Sequence, residues 1–133
     1  MFAAALLRNT DQGHRGRVTA LDINRDVGAL IGRGYASVID LRYDDSIGML
    51  AASASPVDLF LRDSDHRYDY ESAENRADAG ALTDSALVMT DNGGLAFSDF
   101  AKSSGCRFVM FREDPADRRA PAGVLGVALD VAT

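Results

Sequence analysis

The sequence predicts a mainly β domain, a compact sandwich or barrel with two or three short helices; α+β is the alternative. Three observations lead there. Apolar and β-branched runs bounded by Gly or Asp recur along the chain. Asp outnumbers Glu 17 to 3, and Asp favours turns, caps and loop ends where Glu favours helix interiors. Helical signals are few and short. At 133 residues the chain is one domain's worth, residues 1–133 as a single unit with one core.

The expected strands are 17–23, 36–43, Val57–Arg62, 85–90, 95–97, 106–112 and 123–131. In 36–43, Ser37, Ile39, Leu41 and Tyr43 alternate with Val38, Asp40 and Arg42, a moderately one-sided strand. Phe108-Val109-Met110-Phe111 is apolar on both faces, as in the middle of a sandwich or barrel. Asp91-Asn92-Gly93-Gly94 reads as a hairpin turn, because Asn and Gly tolerate positive φ. Residues 98–105 carry a helix signature, with Ser98 as N-cap and Gly105 as stop. Residues 72–80 read similarly, and 25–31 suggests a turn or two. The core is expected to include Ile39, Leu41, Phe108, Met110, Val127 and Leu129.

Two stretches remain without regular structure: a polar interaction loop at about 63–84 and an extended connector at about 114–122. A connection as long as the first is usually functional. The two prolines of the second, Pro115 and Pro121, favour extended backbone.

The net charge of −6 and pI near 4.7 argue against a nucleic-acid partner, which selects a basic face. No apolar run approaches the roughly 18 residues of a membrane span, and the first residues lack the basic region of a secretory signal. Made in the cytoplasm is the resulting expectation. A single cysteine excludes an intrachain disulfide framework. Arg outnumbers Lys 13 to 1, which suits planar interface contacts, although a GC-rich genome produces the same bias.

Gly28-Ala29-Leu30-Ile31-Gly32-Arg33-Gly34 invites a phosphate-loop reading, but it precedes a strand instead of following one. The densest polar cluster is Asp63, Asp65, His66, Asp69, Glu71 and Glu74. With Asp63 first, Asp65, Glu71 and Glu74 fall at the third, ninth and twelfth positions of a calcium loop. Arg67 and Tyr68 then occupy the fifth and sixth, where the loop needs an oxygen ligand and a glycine. Asp63, Asp65, Asp69 and Glu74 are therefore the metal candidates for a non-EF-hand site, and a solvated acidic loop is the alternative. Cys106 with His14 or His66 has no nucleophile spacing. At the start of an apolar strand, Cys106 is expected in the core. Arg67, Tyr68, Tyr70 and Arg76 form the candidate interaction surface, Tyr and Arg being the types enriched at protein interfaces.

The run Pro121-Ala122-Gly123-Val124-Leu125-Gly126-Val127-Ala128-Leu129-Asp130 resembles a stretch of small bacteriophage capsid-decoration proteins. The resemblance implies a β-rich accessory protein on a capsid lattice, with no catalytic residues. The expected function is accordingly a structural, non-enzymatic protein assembling with itself and a larger particle, a virion component without a cofactor. A cation-dependent binding domain or hydrolase-like enzyme using Asp63, Asp65, His66 and Asp69 is the alternative.

Overall fold

The computed structural model describes residues 1–29, 31–53, 55–114 and 123–130. They form two compact units, Met1–Met49 and Leu50–Thr133, where the sequence suggested one. The expected connector at 114–122 lies outside the described residues except for Asp114.

In the first unit, helix α1 (Phe2–Asp11) is followed by strands β1 (Val18–Leu21) and β2 (Ile39–Arg42). Ala3, Ala4, Ala5, Leu6 and Leu7 have high helix propensity, and Arg8 sits in the last turn, favourable to the helix dipole. β1 and β2 pair in parallel, Val18 opposite Ile39. Parallel neighbours need a crossover, and the glycine-rich segment lies within it. Gly28 has φ +90°, and a Cβ there would stand 2.5 Å from Leu41 Cδ2. This glycine therefore serves close packing against β2. Helix α2 (Ser46–Ala51) spans the division between the units.

The second unit runs β3 (Val57–Arg62), α3 (Tyr68–Asp78), β4 (Leu82–Thr90), α4 (Leu95–Ser103), β5 (Arg107–Arg112) and β6 (Val124–Leu129). Its sheet order is β3-β4-β6-β5; β3 and β4 are parallel, and β6 is antiparallel to both of its neighbours. Helices alternate with strands, so the fold is α/β. This corrects the expected mainly β sandwich or barrel. Most of the expected strands are present, but β3 and β4 are parallel, and α3 provides the crossover between them.

The proposed loop at 63–84 contains α3. Its buried face is Glu71, Glu74, Asn75 and Asp78, a stripe of helical period made wholly of polar residues. Apolar periodicity could not find it. The expected strand at 95–97 is the first turn of α4, which buries Ala96, Phe97 and Ala101. Asp91-Asn92-Gly93-Gly94 joins a strand to a helix and is no hairpin, although Asn92 does take φ 50°.

Register fixes which side chains face the helices. Phe60 and Arg62 pair with Val88 and Thr90, which pair with Ala128 and Gly126, which pair in turn with Phe108 and Met110. Against this face pack Phe97 and Ala101 of α4, with Leu82, Ala86 and Cys106 completing the cluster. Phe97 meets Phe108 edge-on, ring centroids 6.3 Å apart, a favoured aromatic geometry. The buried core of this unit is thus Leu82, Val88, Phe97 and small residues, and the expected list needs correction. Phe108 on edge strand β5 and Leu129 are exposed, and Ile39, Leu41, Met110 and Val127 are only half-buried. Cys106 is buried, its thiol donating to Ala101 O at 3.2 Å. Burial pushes its pKa up, as befits an inert core thiol. Among the described residues, no helix is long and apolar enough to cross a membrane.

Candidate cation site at the ends of two parallel strands

Arg62 and Thr90 are register partners, so Asp63 and Asp91 are the next residues beyond one pair. Asp91 N donates to Arg62 O at 2.9 Å, fixing the two chain exits side by side. The crevice outside the carboxyl ends of parallel strands is where open α/β sheets bind ligands. His66 completes the group from the segment leading into α3. One ligand atom each from Asp63, His66 and Asp91 lies within 4.8 Å of the others, and all three residues are exposed. Opposed ligands around a divalent cation, with bonds of about 2.1–2.4 Å, stand about 4.2–4.8 Å apart. Two carboxylates and an imidazole suit a hard or borderline divalent ion such as Mn²⁺ or Mg²⁺. The residues fit the ion.

The turn after β4 is built tightly. Asn92 Nδ2 donates to Asp91 Oδ2 at 2.9 Å and approaches His66 Nε2 at 3.3 Å. Gly93 N donates to Val124 O at 2.9 Å. A Cβ on Gly93 would stand 2.7 Å from Thr90 Cγ2, so only glycine lets the chain turn here beside the sheet.

Behind the site is a buried charged layer. Arg62 Nη2 donates to Asn75 Oδ1 at 2.5 Å, and Nη1 reaches Glu71 O at 3.4 Å. Ser64 Oγ donates to Glu74 Oε2 at 2.5 Å. Burial lowers the Arg62 pKa, opposed by Glu71, Glu74 and Asp78. Burial raises Glu71 and lifts Asp78 to about 6.

Of the metal candidates read from the sequence, the structure brings Asp63 to the site. Asp65 instead pairs with Arg67, accepting from its backbone N at 3.0 Å and its Nε at 2.9 Å. The hydrogen bond from the Arg67 backbone, then the guanidinium, holds its carboxyl below the usual range. Asp69 lies in the first turn of α3, where a carboxylate complements the helix dipole. Glu74 is buried beside Arg62. Asp91 is the member that sequence reasoning missed. Its signal was the Asp immediately after an apolar strand, repeated at Asp63, and it was assigned to a hairpin.

The interaction candidates fall on or beside α3. Tyr68 is exposed and donates to Asp99 Oδ2 of α4 at 3.0 Å. Tyr68 and Arg76 line a groove between α3 and α4 with Asp99 and Phe100. Arg67 immediately precedes α3, and Tyr70 is in its first turn, half-buried.

No family model matches the chain, and no curated protein matches it. Solved structures do. The N-methyltransferase NodS from Bradyrhizobium japonicum WM9 superposes with TM-score 0.66 at 13% identity, over 86% of this chain and 73% of that one. NodS in complex with S-adenosyl-L-homocysteine gives 0.65 at 12%, over 92% and 71%. An rRNA methylase from Streptococcus thermophilus gives 0.58 at 8%, over 88% and 75%. At these identities the likeness shows the fold, the α/β fold of these methyltransferases. It overturns the capsid-decoration resemblance and the structural, virion-located and non-enzymatic reading drawn from it. Within the run that suggested it, Val124–Leu129 form β6, whose small residues Gly126 and Ala128 pack against the neighbouring core.

Proposed function

We propose that the chain is a cation-assisted methyltransferase that moves a methyl group from S-adenosylmethionine to an oxygen acceptor held at Asp63, His66 and Asp91. The observation carrying this reading is that triad, gathered at the carboxyl ends of adjacent parallel strands in a fold similar to that of methyltransferases. When bound, S-adenosylmethionine supplies an electrophilic sulfonium methyl and a divalent cation supplies Lewis acidity at the acceptor hydroxyl.

The chain's own residues do the positioning. Asp63 and Asp91 provide carboxylate oxygens and His66 a ring nitrogen, all three from exposed residues. No Gly-x-Gly-x-x-Gly run follows a strand among the described residues, so no step is assigned to such a loop.

The test is transfer of labelled methyl from S-adenosylmethionine to a panel of phenols and catechols. Transfer that chelator abolishes and Mn²⁺ restores supports the reading. Absence of S-adenosylmethionine binding by calorimetry overturns it.

A further inference from the structure

Helices α3 and α4 pack on one face of the β3-β4-β6-β5 sheet, against Arg62, Val88 and Ala128. Side chains alternate across a sheet, so the residues between these point away from the helices. The central row on that second face is Leu61, Met89, Val127 and Val109, register partners across all four strands. Leu125 opposite Phe111 extends it toward one end, and Leu59 opposite Leu87 toward the other, with Leu129 next along β6. Six of these, Leu59, Leu61, Val109, Phe111, Leu125 and Leu129, are 36–54% exposed. Their exposed apolar area is on the order of 500 Å², near the top of the range for the largest patch on a monomer. A sheet with parallel strands is ordinarily covered on both faces, whereas these six side chains face solvent.

Charge is confined to the ends of this face. β4 and β5 are each antiparallel to β6 and so run the same way, which places Glu113, just after β5, at the same end as Asp63 and Asp91. Arg107, opposite Leu129, stands at the other end. We propose that a second copy of this chain covers the face, the two sheets stacking about a two-fold axis perpendicular to the strands. That axis turns Arg107 of one copy toward the acidic end of the other, whereas an axis along the strands would bring the two acidic ends together. The face is self-complementary in this arrangement, as an isologous interface must be. With no charge in its middle, two copies of net charge −6 meet without burying like charges, and a basic partner finds no carboxylate there. Adding the half-buried Leu87, Met89 and Val127 and the rim, each copy contributes about 700–800 Å², the share of a standard stable interface. The proposal is independent of the cation site and of the methyltransferase reading.

The experiment is sedimentation velocity of the full chain from about 1 to about 100 μM, where interfaces of this size associate. The wild type should form a dimer and nothing larger, because an isologous contact closes on itself. Phe111→Lys and Val109→Lys place a charge at positions already exposed in the single chain. Each should weaken association about 10-fold or more, by burying an unpaired charge in the contact. Val109→Thr, close to valine in shape, should weaken it several-fold and covers the case in which the lysine variants do not fold. Leu95→Lys, at a 75% exposed apolar position of α4 and so off this face, should leave association unchanged. A wild type that stays monomeric at the highest concentration overturns the proposal, as do open-ended oligomers. A dimer as tight in Phe111→Lys and Val109→Thr as in the wild type, or one weakened equally by Leu95→Lys, overturns it too.

Discussion

Arg62 Nε lies 3.8 Å from Glu74 Oε2, and each side chain is 2% exposed. This buried pair is the centre of a layer in which one guanidinium from β3 faces Glu71, Glu74 and Asp78 from α3. Isolated charges in a protein interior cost several kcal/mol each, and breaking such a set by removing one partner is far worse than replacing it whole.

Arg62→Leu should therefore destabilise the fold by about 3–5 kcal/mol, because it strands three carboxylates in the interior. Urea denaturation at neutral pH checks this. A loss under about 1 kcal/mol would mean that the carboxylates draw their compensation from elsewhere.

Asp78 gives the pH dependence. It is 1% exposed, and neither carboxylate oxygen has a hydrogen-bond partner among the described residues. Burial raises its pKa from 3.8 to about 6, with Arg62 opposing and Glu74 adding to the rise. Between those values the folded state binds more protons than the unfolded, so stability falls as pH rises through this window. Asp78→Asn should remove that slope and raise stability at pH 7.5 by about 2 kcal/mol. The check is a series of melts across the window, with an unchanged slope contradicting the assignment.

Gly126 packs closely against the core of the second unit. A Cβ there would stand 2.6 Å from Phe97 Cε1 and 2.8 Å from Thr90 Cγ2. Gly126→Ala should cost about 1–3 kcal/mol through overpacking. Combining it with Phe97→Leu should recover part of that loss in a double-mutant cycle, since the two residues touch.

Most strands were legible because their apolar runs end in Gly or Asp, and Val57–Arg62 is found at its expected bounds. Their pairing was not. A parallel pair announces itself only through the helix between its strands, and here that helix hides a stripe of Glu71, Glu74, Asn75 and Asp78. The stripe has helical period but the wrong polarity for an amphipathic search. Its partner, the inward Arg62, closes a strand that reads as ordinary. The candidate site was half legible for a related reason. Asp63 and His66 stand close together in sequence, but Asp91 joins them only through the β3–β4 register.

Anomalous diffraction from crystals soaked in Mn²⁺ tests the account's central claim most directly. It predicts one principal peak within bonding distance of Asp63, His66 and Asp91, abolished in Asp91→Asn. Because all three side chains are exposed, that variant should melt within about 0.5 kcal/mol of the wild type. A map with no peak there, or a peak unaffected by Asp91→Asn, would contradict the assignment of the site.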